Sequence, residues 1–113
     1  MKVYTTKINE SWIIDRIKAE WIENNQNIIT KSIYFADIVW IIAPWSIEVS
    51  TYKKFSNKKV VSSIYHIENS SSDSPEVIKI LELDKYVHAY HTISKKTKLI
   101  LEKITDKPIY FLP

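Results

Sequence analysis

The sequence predicts an α/β domain, three layers deep (α/β/α), around a mostly parallel sheet of about six strands. Three observations carry this expectation. Strand-like and helix-like patterns alternate along the chain, in the order β-α-β-β-(α)-β-α-β-α-β, as layered α/β folds require. The run Ile38-Val39-Trp40-Ile41-Ile42-Ala43 is apolar without alternation, the pattern of a strand covered on both faces. The chain has no glycine, where average usage would give roughly eight. Two-residue hairpin turns favour glycine, so its absence tilts the fold away from tight antiparallel pairs. With 113 residues there is room for one domain, 1–113.

Each element has its own local reason. Lys2 to Thr6 reads as a short first strand. Ser11 caps a helix on which Ile14, Ile17 and Trp21 follow at i, i+3 and i+7, with Ile13 beside them, ending near Asn24-Asn25. Ile28-Ile29-Thr30 is a brief β-branched run. Asp37 to Ala43 is the inner strand, stopped by Pro44. A stretch up to Phe55 holds one or two helical turns. Lys59 to Tyr65 is the next strand, with Ser62 and Ser63 small enough for close packing. Ile67 to Ser74 is a polar loop. Ser74-Pro75-Glu76 opens a helix with a cap, a proline at its first position and an acid in its first turn. Val77, Ile78 and Leu81 are its expected buried stripe. Tyr86 to Thr92 is a strand. Ser94 caps a helix with Thr97, Ile100, Leu101 and Ile104 on one face, and Pro108 to Leu112 is the last strand.

Composition excludes several chemistries. Zero cysteines remove disulfides, thiolate metal sites and cysteine nucleophiles. Zero glycines remove the Walker A loop and the G-x-G-x-x-G fingerprint. No apolar run is long enough for a membrane span. Met1 to Lys7 lacks the apolar centre of a signal peptide, so a cytoplasmic location is expected. A net charge of +3 is too small to argue for a nucleic-acid partner.

In open parallel sheets, ligands bind beyond the carboxyl ends of the strands. That rule selects Lys7, Asn9 and Glu10 after the first strand, and Pro44 and Trp45 after the inner one. It selects His66 and Glu68 after the next, then Thr92 and Ser94. His66 follows a buried strand and precedes a polar loop, where an imidazole can donate a hydrogen bond or carry a proton. Its plain alternative is a solvated loop histidine. Trp45 offers a face for a sugar or base, or else covers the edge of the core. Trp12, Trp21 and Trp40 read as core. His88 and His91 point to opposite faces of one strand and cannot share a metal. His91 reads as a packing or hydrogen-bonding residue, and Asp15 and Asp84 as paired surface charges. Lys95, Lys96, Lys98 and Lys103 read as a solvated helix face, with an anionic partner as the alternative.

Four stretches together resemble a family: Ala36 to Trp45 (A-D-I-V-W-I-I-A-P-W), Lys59 to Ile67 (K-V-V-S-S-I-Y-H-I), Asp84 to Lys98 (D-K-Y-V-H-A-Y-H-T-I-S-K-K-T-K) and Lys107 to Pro113 (K-P-I-Y-F-L-P). Their order is similar to that in the amino-terminal domain of GT-B glycosyltransferases of the family 4-like, retaining type. The likeness covers about two thirds of the chain, from Asp37 onward.

The resemblance implies transfer of a hexose from a nucleotide-sugar donor, a substrate rather than a cofactor, to an acceptor. This domain would form the acceptor-side wall of the cleft. It places His66 where the family has a histidine near the sugar, and Ser94 where it has a serine. Asn9, Trp45, Glu68 and Thr92 are the further expected contacts. No metal is implied.

Lys7-Ile8-Asn9-Glu10-Ser11 replaces the family's glycine-rich loop, and the second domain is not in the sequence. The expectation is therefore an isolated half, excised or naturally truncated, folded but inactive. Weak self-association through its open wall is also expected.

The expected sheet is Rossmann-like, with strand order 3-2-1-4-5-6. The alternative class is a stand-alone α/β binding or interaction module. Within it, a receiver lacks its acidic cluster and a flavodoxin its phosphate loop.

Overall fold

The computed structural model describes residues 2–5, 20–30, 32–42, 49–55, 57–65, 67, 70–71 and 73–112. Five strands form one sheet: β1 (Val3–Thr5), β2 (Ile38–Ile41), β3 (Lys59–Ser63), β4 (Ala89–Thr92) and β5 (Ile109–Phe111). All four pairings are parallel, and the strands lie side by side in chain order. The helices are α1 (Val49–Lys53), α2 (Pro75–Leu83) and α3 (Lys95–Ile104), and residues 20–24 are also helical. The α/β class expected from the alternating patterns is therefore present, as a five-stranded parallel sheet.

The arrangement of the first strands differs from the expected 3-2-1-4-5-6. Residues 28–30 make one isolated parallel bridge, Ile29 to Val3, on the outer side of β1. Val3 N donates to Ile28 O at 2.7 Å and Thr30 N to Val3 O at 3.1 Å. The chain then turns beneath the start of β1, where Asp37 N donates to Lys2 O at 2.9 Å, and enters β2 on the inner side. The stretch 31–37 is too short to hold a crossover helix and a further strand. The outer arm is thereby reduced from two strands to one bridge.

Direction in the sheet decides which face each helix covers. From β2 to β5 the chain always steps the same way, and right-handed crossovers place α1, α2 and α3 on one face. From β1 to Ile29 it steps the other way, which sends the intervening helix to the opposite face. The packing agrees. Val39, Ile41, Val60 and Tyr90 point to the first face and pack with Tyr52 of α1, Ile80 and Leu83 of α2, and Leu101 of α3. Trp40 points to the second face, where Trp21 meets it edge-on with ring centroids 4.8 Å apart. Trp21 and Trp40 are half-buried, so the core expected around them is partly open, and Trp12 lies outside the described residues.

The capping signals at Ser74 and Ser94 act as read; Ser11 lies outside the described residues, with Ile13, Ile14 and Ile17. Ser74 Oγ accepts from Val77 N, Pro75 is the first helical residue and Glu76 sits in the first turn of α2. The buried residues of α2 are Val77, Ile80 and Leu83; Ile78 and Leu81, expected inside, are about half exposed. The segment V-I-K-I-L-E-L carries two apolar stripes, and the sheet selects the one its orientation faces. On α3, Thr97 and Leu101 are buried, with Ile100 and Ile104 against the core, while Lys95, Lys96 and Lys103 are exposed and Lys98 is half-buried. Asp84 is no surface charge. Its Oδ1 accepts from Tyr90 OH and Thr105 Oγ1, both at 2.7 Å, and its role is internal.

Candidate functional site

Because every strand runs the same way, all five carboxyl ends lie on one edge of the sheet. From β1 the chain steps outward to the Ile29 bridge and then back inward to β2, and such a change of stepping is the usual place for a crevice in an open parallel sheet. Toward this edge, on the second face, three adjacent strands each contribute one residue to a hydrogen-bonded row. Trp40 Nε1 on β2 donates to Ser63 Oγ on β3 at 2.8 Å, and Ser63 Oγ lies 2.8 Å from His91 Nδ1 on β4. Register aligns them: Trp40 is beside Val61, and Ser63 is directly beside His91.

The partners determine the protons. His91 Nε2 lies 3.3 Å from Leu112 O, and a carbonyl can only accept. Nε2 therefore carries the hydrogen of the neutral ring, and Nδ1 accepts from the Ser63 hydroxyl. Ser63 is fully buried, and its hydroxyl accepts one hydrogen bond and donates another. This is a positioning arrangement rather than an activated nucleophile. It fixes the His91 ring and presents its edge to two open hollows. One, about 390 Å³, is lined among the described residues mainly by Trp21, Ile38, Trp40, Val61, Tyr110 and Leu112. The other, about 380 Å³, includes Trp21, Asn24, Asn25, Trp40, Tyr65 and Ile93. The wall of the first is mainly aromatic and aliphatic, the second adds the polar Glu20, Asn24 and Asn25, and both offer aromatic surface to the face of a ring.

Tyr65 stands edge-on to His91, with centroids 6.1 Å apart. Burial pushes its phenol above the usual range, opposed in part by the neighbouring Ser63 hydroxyl. That hydroxyl is already engaged with Trp40 and His91, and the Tyr65 oxygen makes no hydrogen bond among the described residues.

Of the expected site residues, Thr92 and Ser94 are described. Thr92 is fully buried, and its Oγ1 accepts from Ser94 N at 3.2 Å. Ser94 Oγ accepts from Thr97 N at 3.3 Å and caps α3. Both stand at the carboxyl edge, with their oxygens serving the backbone. Asn9, Trp45, His66 and Glu68 lie outside the described residues, as does Asp15.

His88 and His91 do not meet: His88 Nδ1 accepts from Val60 N at 3.0 Å at the other end of the sheet. Among the described residues no group of three or more histidines and carboxylates could hold a metal ion, and no helix is long and apolar enough to cross a membrane. The Trp40–Ser63–His91 row was not foreseen as a unit. The available signal was equal parity on neighbouring strands, hidden until the register was known. No protein-family model, curated protein or solved structure matches this chain.

Proposed function

We propose that the chain is the acceptor-side, amino-terminal domain of a GT-B type, family 4-like glycosyltransferase acting in the cytoplasm. In this reading a second α/β domain carries the nucleotide-sugar, and the carboxyl edge described above forms the facing wall of the cleft. His66 acts next to the transferred hexose, with Asn9, Trp45, Glu68, Thr92 and Ser94 around the substrates. The observation that supports the reading best is the shared polarity of the strands. β1, β2, β3 and β4 all end on one edge, and each leads directly into a segment that carries one or more of these residues. The aromatic hollows beside His91 add surface of the kind on which sugar rings stack.

A domain of this kind contributes orientation rather than donor binding, since gripping a diphosphate needs donors aimed at it. The isolated chain is accordingly inert, and its affinity for nucleotide-sugars is no better than about millimolar, roughly −4 kcal/mol. Amide NMR of the 113-residue chain, titrated with UDP-glucose and separately with a simple glycoside, tests this. Expected are weak, saturable shifts at Tyr65, Ser94, Leu112 and their neighbours. Shifts confined to the opposite edge, near Asp37 and His88, overturn the reading, and so does micromolar nucleotide-sugar binding. A complete lack of sugar response favours the stand-alone binding module instead.

A further inference from the structure

The amino edge of the sheet, remote from the site above, carries an unusual combination of groups. Ile33–Phe35 forms one turn of 3-10 helix, and its Tyr34 and Phe35 are 87% and 75% exposed. Two adjacent aromatic rings projecting this far are costly in water. The turn is tied to a basic segment, since Lys58 Nζ donates to Tyr34 O at 3.2 Å. Beside it lies an open hollow of about 600 Å³ whose polar lining among the described residues is Asp37, Asn57, Lys58, Lys59 and His88, with Ala36 and Ile38 as its apolar part.

Lys58, Lys59 and the His88 N–H outnumber the one carboxylate of the hollow, Asp37, so its balance favours an anion. Lys58 spends one of its three ammonium hydrogens on Tyr34 O. His88 Nδ1 accepts from Val60 N, so the neutral ring carries its hydrogen on Nε2 and is a donor there. Lys2, Lys54, Lys59 and Lys85 are exposed on the segments that precede or begin the strands at this edge. The acids of the same segments are Asp37, Asp84 and Asp106. Asp84 is occupied by Tyr90 and Thr105, and Asp37 accepts from the Lys2 backbone N at 2.8 Å.

We propose that this edge docks on an anionic lipid bilayer, with lipid phosphates at Lys58, Lys59 and His88 and the Tyr34 and Phe35 rings entering the interfacial layer. A protruding aromatic pair tied to Lys58, on an edge that also exposes Lys59, suits a soft interface, whereas a protein partner or nucleic acid would engage such rings in a pocket or a stack. Docking here leaves the carboxyl edge facing away from the membrane.

Co-sedimentation with mixed phosphatidylserine–phosphatidylcholine vesicles, against phosphatidylcholine alone, tests the proposal. Binding should require phosphatidylserine and weaken as salt is raised. The double change Tyr34→Ala/Phe35→Ala should lower affinity at least about tenfold. The pair Lys58→Glu/Lys59→Glu should lower it more than about fivefold per residue. Lys95→Glu/Lys96→Glu removes the same charge at the opposite edge, beyond a Debye length of about 8–10 Å, and should leave binding nearly unchanged. Amide spectra of each variant establish that it is folded, and the aromatic pair is exposed enough for this to hold. Equal losses from both lysine pairs overturn the proposal. It is also overturned by vesicle binding that does not need the aromatic pair, or by DNA binding tighter than vesicle binding and dependent on the same residues.

Discussion

The Tyr90 hydroxyl reaches Asp84 Oδ1 at 2.7 Å, joining a ring in the centre of the sheet to the turn that launches its own strand. Thr105 Oγ1 reaches the same oxygen from the end of α3, and Lys107 Nζ closes the corner on Asp84 O at 3.0 Å and Val87 O at 2.6 Å. One carboxylate thus ties together the ends of two helices and the start of β4. Asp84→Ala should cost about 2–4 kcal/mol, because it removes a charged acceptor and leaves a buried phenol unpaired. In a urea titration, adding Tyr90→Phe to Asp84→Ala should cost less than Tyr90→Phe alone. Additive losses would mean that the two groups are not coupled.

Tyr52 supplies the opposite case. It is fully buried in the same core, and although the nearby Ser62 hydroxyl offsets a little of the effect of burial, the Tyr52 oxygen makes no hydrogen bond of normal geometry among the described residues. Tyr52→Phe should be neutral or stabilising by up to about 1 kcal/mol, whereas Tyr90→Phe should destabilise by about 1–2 kcal/mol. Two thermal melts distinguish them, and a large loss at Tyr52 would reveal a partner for its oxygen.

Burial raises the phenols of Tyr52, Tyr65 and Tyr90 above 10.0, with Asp84 adding to the effect at Tyr90. The folded state therefore holds these protons more tightly than the unfolded chain. Their contribution is complete below about pH 10 and declines as pH rises from there through the folded-state values. The loss amounts to about 1.4 kcal/mol per pH unit for each phenol ionised only in the unfolded chain. Denaturation midpoints measured above pH 10 should fall steeply. They should fall less steeply in Tyr90→Phe, and an unchanged slope there would contradict the assignment.

Ser63→Ala leaves Trp40 Nε1 and His91 Nδ1 without their shared partner. A destabilisation of about 1–3 kcal/mol is expected, with a change in tryptophan emission as the Trp40 indole loses its acceptor. Trp40→Phe should be milder in the Ser63→Ala background than in the parent. If it costs the same in both, the row does not act as a unit.

Ser74→Ala and Ser94→Ala each remove a helix cap and should cost about 1 kcal/mol, with Asp at either position restoring most of it. Hydrogen exchange at Val77 and Thr97 amides reads this locally. For Ser94 the effect should appear in the chain without any ligand, since its Oγ already serves Thr97.

Local chemistry was the most legible part of the sequence. Ser74-Pro75-Glu76 and Ser94 mark helix starts because a cap needs only neighbouring residues, and the Ile38 run marks an inner strand because one of its faces is buried and the other half-covered, which leaves no polar side. What depends on long-range geometry was not legible. Ile28-Ile29-Thr30 has the residues of a strand but only one bridge, because the return path under β1 leaves no room for more. Ile78 and Leu81 looked as apolar as Ile80 and Leu83, and the sheet decided between them. Asp84 resembled any surface acid until Tyr90 and Thr105 were brought to it from different elements. The row from Trp40 to His91 needs three strands in register before it exists.

The agreement of spatial and chain order from β2 to β5 has a kinetic consequence. Each of these strands pairs with the one made just before it, across a single intervening helix, so every closure joins near neighbours at low entropic cost. During synthesis a growing chain can add β3 to β2, β4 to β3 and β5 to β4 without waiting for a distant partner. Nucleation should lie in the β3–α2–β4 unit, which brings together Val60, Val77, Ile80, Leu83 and Tyr90, all buried. The single bridge at Ile29, held to β1 by two backbone hydrogen bonds, should form last and open first.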